Sequence, residues 1–590
     1  MPQNGVVPVS ERITPESLLG TVLDHPEARM IFQRALPGVA NSPLILQLRN
    51  LPIRGMVDRN PALRSDPEAI ERLWADLGAI EAEIPEHIEV PPVEPDLSYE
   101  PADTARREAQ HPTTGSLWHP FEIVIAGPSH GNPFVDVELT ATFVDPQGQD
   151  VSVGGFYDGD GTYRLRLLPP ATGSWSFTTS STATSLDGIE GSFEVTESDA
   201  VGPVRVDGFH FRHANGDRHI PHGTTAYAWT HQPEALQEQT LATLAEAPFT
   251  KIRMCVFPKS YLYNSNEPDR FPFEADGQGG WDTTRFDVEY WAHLEKRIGD
   301  LDALGIQADI ILFHAYDRWG FSDLGRAADD RYVRYLTRRL AALPNVWWSI
   351  ANEYDLMSSK SIDDWERLAA IVVAEDHADH LISIHNCFGF YDYTKPWITH
   401  CSVQRIDVYR TSENTDQWRE QWGKPIVIDE CAYEGDLDQG WGNITGEEMV
   451  RRFWEGAVRG GYVGHGETYY EPVDEVIWWA KGGELRGTSP ARIGFLTSII
   501  EDSPTGALDP LPSEWDAPWG GVAGQYVIIY FGFNRPSFRT VSLAPGRPMH
   551  VDVIDTWNMT IDRLEGTFEG TFTLPLPGRQ FIALRLTAAD

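Results

Sequence analysis

Eight short apolar runs recur between residues 205 and 505, and amphipathic stretches with helical spacing lie between them. The runs are His219–Ala226, Thr250–Phe257, Gln307–Phe313, Val346–Ala351, Leu381–Ile384, Ile398–Val403, Ile426–Asp429 and Tyr462–Glu467. Strand-length apolar runs that alternate with helices read as βα units around a parallel sheet. Asp287 opens one such helix, with Trp291, Leu294, Ile298, Leu301 and Leu304 on one face. Ser361 opens another, and Thr445-Gly446-Glu447-Glu448 reads as a capping box for a third. Eight such units in roughly 300 residues predict a (β/α)8 TIM barrel.

The flanks carry different patterns. Residues 1–83 read as a helical segment, with starts at Thr14-Pro15-Glu16, His25-Pro26-Glu27 and Ser65-Asp66-Pro67-Glu68. Residues 84–114 are rich in proline and acids and read as a linker. From 115 to 200 the period changes to two, as in Phe121–Ile125, Val135–Leu139 and Tyr163–Leu167, which predicts a β-sandwich. Trp118, Tyr157 and Trp175 then read as sandwich core rather than as sugar platforms. The barrel takes residues 201–510. Residues 511–590 return to period two and predict a second small β-sandwich, so the chain as a whole is multidomain α/β.

Composition narrows the function. The net charge of −40 disfavours nucleic acid and anionic membranes as partners. The 20 Trp and 20 Tyr supply core, and also surfaces on which sugar rings stack. Cys255, Cys387, Cys401 and Cys431 match no zinc spacing, and buried free thiols in a reducing compartment are expected. The N-terminus shows neither a basic n-region nor an apolar h-region, and no run of about 18 apolar residues occurs. A cytoplasmic location is the expectation. No phosphate loop, dinucleotide fingerprint or metal cluster is evident, so neither cofactor nor metal is expected.

Two of the apolar runs end in carboxylates: Glu353 follows the fourth, after Asn352, and Glu430 ends the seventh. Side chains at strand C-termini gather at the mouth of a barrel, and strands four and seven face each other there. Two carboxyl groups on one pocket form the constellation of glycoside cleavage, in which one donates a proton and the other attacks or activates water. Arg253 lies inside an apolar strand and needs a buried charge partner, for which Glu430 is the expectation.

These residues resemble clan A retaining glycoside hydrolases: Asn352-Glu353 after strand four, Glu430 at strand seven and Arg253 in strand two. The closer resemblance is to the apiosidase-like group, carried by Gly131-Asn132-Pro133-Phe134-Val135 and Phe156-Tyr157-Asp158-Gly159-Asp160-Gly161 ahead of the barrel. It covers roughly residues 115–590 and leaves 1–83 unexplained. It implies that Glu353 is acid/base, that Glu430 is nucleophile, and that Arg253 hydrogen-bonds the nucleophile. The strand-eight region departs from the clan, with Gly464-His465-Gly466-Glu467-Thr468-Tyr469 in place of a lone Trp.

Further candidates for sugar contact are Asn352, His314, His385, Gln404, Glu467 and the loop tryptophans Trp229, Trp319, Trp478 and Trp479. For each, structural packing is the competing reading. The expected activity is exo-acting hydrolysis of a terminal sugar from short oligosaccharides. The alternatives are an inverting glycosidase using the same pair, and a non-catalytic carbohydrate-binding protein on a barrel scaffold. Residues 1–83 either cover the pocket or build a homo-oligomer.

Overall fold

The computed structural model describes residues 7–40, 45, 49, 52–86, 92–404 and 410–589. Among the described residues, six short helices, from Leu19–Asp24 to Pro67–Gly78, pack around Leu19, Val22, Phe32, Ile53, Val57, Leu73 and Leu77. Asp66 caps the last of them, its Oδ1 accepting the Ala69 N–H at 3.0 Å. Thr14 does not cap the first. It closes a turn with Ser17, and the helix begins only at Leu19. The segment is also not purely helical. Val7–Arg12 pairs antiparallel with Glu81–Glu86, so the proposed start of the linker is half of a two-stranded ribbon. Pro8 and Pro85 face each other in it, which is tolerated because both strands are edges.

Residues 109–196 form the expected pair of sheets, one of five strands and one of four. Their shared core includes Phe121, Ile123, Phe143, Leu165, Trp175 and Phe177. Tyr157 and Trp175 are buried there, whereas Trp118 is half-buried against Leu168, Ala342 and Ala378. The Val135–Leu139 strand is not formed. Pro133–Asp136 is a short helix, pinned by Asp136 Oδ2 accepting the Asn132 N–H at 2.9 Å, and the strand starts at Leu139.

The two motifs ahead of the barrel make the seam to it. Asn132 donates to Thr284 Oγ1 at 2.9 Å, and the Phe134 ring packs edge-on against Tyr157, Phe286 and Tyr335. Asp158 accepts from Arg339 at 2.6 Å. Gly161 has φ +73°, and a Cβ there would lie 2.8 Å from the Gly127 carbonyl, which explains the glycine.

The eight barrel strands are Gly223–Thr225, Lys251–Cys255, Gln307–His314, Val346–Asn352, Ile382–Ser383, Cys401–Gln404, Ile426–Glu430 and Tyr462–Val463. They form parallel sheets of five and three strands in sequence order. Single parallel bridges, His385 with Ser402 and Thr224 with His465, cross the two gaps between these sheets. Ser361 and Asp364 make a full capping box before Ile362–Glu375. Thr445 caps Gly446–Val458 from one side only, since Glu448 is drawn to Arg451 and Arg452. The C-terminal region has a six-stranded sheet and a separate two-stranded antiparallel sheet, Phe538–Ser542 with Thr571–Pro575. Tyr530 of the large sheet stacks on Trp454 and joins it to the barrel.

Candidate active site

Beneath the barrel mouth lies a layer of buried charges. Lys251 Nζ is 2.5 Å from Asp309 and 2.6 Å from Asp429; Arg253 Nη1 is 3.2 Å from Asp429 and 3.6 Å from Asp309. Arg253 pairs in register with Asp309 on the neighbouring strand. This corrects the expectation that Glu430 is its partner. Asp429, one residue earlier on strand seven, makes the contact, and Arg253 Nη2 donates to Asn352 Oδ1 at 2.9 Å. Arg253 therefore acts on Glu430 through space rather than by contact.

Above this layer, Glu353 and Glu430 open into one cavity of about 170 Å³, walled by Tyr227, Lys259, Tyr261, Tyr316, Tyr433, Trp441 and Trp479. Glu353 takes a left-handed backbone, φ 52° and ψ 54°, directly after the strand. Such a conformation costs a non-glycine residue about 1–3 kcal/mol and gathers at functional sites. The Tyr354 N–H, donating to the His385 carbonyl at 2.9 Å, holds the turn.

The two carboxyls live in opposite surroundings. Burial and the charge of Glu430 raise the Glu353 carboxyl above its usual range. Tyr316 Oη donates to it, and Gln404 Nε2 and Asn352 Nδ2 each lie 3.3 Å from its oxygens. Burial also pushes Glu430 upward, but its neighbours win and hold it down at about 2. The His385 hydrogen bond and charge lead, followed by the Arg253 charge and the Tyr227 hydroxyl. His385 Nε2 is 3.4 Å from Glu430, and its Nδ1 is held by Ser402 Oγ at 2.9 Å, itself bonded to Asp429 at 2.5 Å.

Of the other sequence candidates, Gln404 and Trp479 also line the cavity. His385 stands behind Glu430, and Asn352 is engaged by Arg253, Tyr227 and Glu353. Five lie elsewhere. Trp229 is fully buried in the turn Trp229–His231 and belongs to the barrel core. His314 turns its Nε2 to the Phe257 carbonyl at 3.1 Å, and burial depresses it to about 3. Trp319 packs with Phe271 and Phe321 and donates to Glu267 at 2.8 Å. Trp478 is buried, donating to Thr224 Oγ1 at 2.9 Å.

Glu467 is the largest displacement. Strand eight ends at Val463, and Glu467 pairs instead with Glu434 in a separate two-stranded ladder. There it accepts the N–H groups of Arg486 and Gly487, so it braces the loop of residues 486–489 rather than a sugar. Burial pushes its carboxyl up to about 7.

Sequence reasoning passed over Tyr227, Lys259, Tyr261, Tyr316, Tyr433, Trp441 and Cys387. Tyr227 and Tyr316 lie two residues past the ends of strands one and three, one residue further out than Glu353 lies from strand four. The others come from loops, where no period marks them.

The family described as apiosidase-like, catalytic domain, matches residues 206–485. Two families described as domains of unknown function match at the flanks, DUF5060 at 114–182 and DUF5605 at 515–587. A crystal structure from Bacteroides vulgatus ATCC 8482, provisionally assigned as a glycoside hydrolase, is 38% identical with a TM-score of 0.77, and the match spans 81% of this chain and 100% of that one. A glycoside hydrolase family 5 structure from the same organism shares the fold at 16% identity and TM-score 0.53, over 65% of this chain and 94% of that one. No curated protein sequence matches. With a 38% identical relative matched over its whole length and the family matched across the barrel, the chain belongs to the apiosidase-like glycoside hydrolases.

Proposed function

We propose that the protein is a retaining, exo-acting glycosidase working by double displacement, with Glu353 as acid/base and Glu430 as nucleophile. The observation that carries this reading is the opposite bias on two carboxyls facing one cavity, Glu353 toward the neutral form and Glu430 toward the ionised one. Glu430 attacks the anomeric carbon while Glu353 gives its proton to the departing glycosidic oxygen, leaving a glycosyl ester on Glu430. Glu353, now a carboxylate, takes a proton from water. The resulting hydroxide equivalent attacks the anomeric carbon and frees Glu430. No metal or cofactor enters the cycle.

Exo action is supported by the size of the cavity. Its 170 Å³ falls below the roughly 300–1,000 Å³ of ordinary small-molecule pockets, and Tyr261, Tyr263, Trp441 and Trp479 wall it. Such a space suits one terminal ring, stacked on an aromatic face. The four cysteines are free and buried, in keeping with a cytoplasmic location, and no described helix is long and apolar enough to cross a membrane.

The test is intact-protein mass after incubation with 2-deoxy-2-fluoro glycosides of several sugars. A mass gain mapped to Glu430 is the expected result, and it would identify the sugar as well. Cleavage of a glycoside with inverted configuration and no adduct would replace retention with inversion. Internal cleavage of a long polysaccharide as the main activity would remove the exo assignment.

A further inference from the structure

The cavity holds one charged group that the double-displacement cycle does not use. Lys259 is only 2% exposed, yet among the described residues no carboxylate lies within ion-pair distance of its ammonium. Aromatic rings surround it instead. Nζ lies 3.4 Å from the centroid of Tyr227, 4.3 Å from Tyr316, 4.7 Å from Tyr261 and 5.6 Å from Trp479. The backbone beneath is pinned, since Asn264 Nδ2 donates to the Lys259 carbonyl at 2.5 Å and its Oδ1 accepts from Gln232 at 3.1 Å. The two nearest rings are those whose hydroxyls reach the catalytic carboxyls, Tyr227 to Glu430 and Tyr316 to Glu353.

We propose that Lys259 is a positioning residue: its ammonium, held between the faces of Tyr227 and Tyr316, keeps one hydroxyl on Glu430 and the other on Glu353. This rests on the glycosidase reading of the two glutamates. An ammonium over a desolvated ring is strongly attracted to it. It also draws electron density from the phenol, which makes each hydroxyl a better donor. One charge thus links the settings of two carboxyls that must behave differently. The groups facing it are the carboxyls of Glu353 and Glu430, the Cys255 thiol, the Arg253 guanidinium and the phenols of Tyr227, Tyr261 and Tyr316. His385, Asp429 and Cys387 stand behind the two glutamates. A lysine filling space would act through none of these, and one that only touched substrate would govern binding rather than the charge state of the pair.

The test compares Lys259→Met, which keeps the bulk and removes the charge, with Lys259→Arg, which keeps the charge. The substrate is the aryl glycoside that the unaltered enzyme cleaves fastest. For Lys259→Met, kcat should fall about ten- to thirty-fold with KM within about two-fold. Loss of a positive charge makes both carboxyls weaker acids, so both limbs of the kcat/KM profile should move to higher pH. Lys259→Arg should restore the profile. A crystal structure of Lys259→Met reads the geometry without substrate, and the Tyr227 and Tyr316 hydroxyls should withdraw from their carboxylates.

A raised KM with unchanged kcat and profile would make Lys259 a substrate contact and overturn the proposal. Hydroxyls that stay in place with an unmoved profile would overturn it as well. Should the Met variant fail to fold, Lys259→Gln is measured in the same way. If the unaltered enzyme cleaves no glycoside, the glycosidase reading fails by itself, and the crystal structure alone decides the role of Lys259.

Discussion

At the scale of single residues, the separation of the two carboxyls is what the reaction would exploit, and it sets the pH behaviour. Glu430 must be ionised to attack and Glu353 protonated to donate. The Glu430 carboxyl is held at about 2, so activity should stay level as pH falls until that value is approached. The raised Glu353 carboxyl loses its proton as pH rises, and this sets the basic limb of a kcat/KM profile measured on an aryl glycoside. Linkage gives Glu430 a second consequence. A folded value below the ordinary 4.5 adds stability above the unfolded pKa, and that stability is lost as pH falls toward 2. Glu353→Gln should lower kcat by about 10²–10⁴-fold on glycosides with poor leaving groups, and less where the leaving group departs without a proton. Equal loss on both classes, measured by steady-state kinetics, would count against Glu353 as the acid.

At the scale of elements, strands two, three and seven are joined by a polar layer rather than a greasy one. Lys251, Arg253, Asp309 and Asp429 are each at most 3% exposed and balance one another, with Ser402 linking Asp429 to His385. Removing one member leaves its partners charged and dry. Asp429→Ala should cost about 3–5 kcal/mol of unfolding free energy, read from urea denaturation followed by tryptophan fluorescence. Arg253→Met should weaken the electrostatic hold on Glu430 and raise the acid limb of the activity profile. The apolar runs that carry these strands were legible because fully buried parallel strands are continuous in hydrophobicity. The layer between them was not. The pairing of Arg253 with Asp309 depends on which residues share a register, and a single chain pattern does not show that.

At the scale of the whole molecule, the segment through Glu86 keeps a core of its own, and none of its described residues lines the cavity. Deleting residues 1–86 should therefore leave kcat/KM within about two-fold, while analytical ultracentrifugation reports whether self-association is lost with it. The sandwich is different, since Asn132, Phe134 and Asp158 bind it to barrel helices and loops. What the sequence determined by itself follows from local periodicity. It delimited the alternating strand and helix region, the two-period flanks and the strand ends at which Glu353 and Glu430 emerge. What tertiary structure alone decided follows from contact between distant segments. Arg253 found Asp429 and not Glu430, Glu467 turned to Glu434, and Trp229, Trp319 and Trp478 packed away from the cavity while Trp479 faced it. The aromatic cage around Lys259 draws on the segments that follow strands one, two and three and on the short helix Trp478–Lys481. No period in the chain encodes it, because the residues meet only once the barrel has brought their elements together.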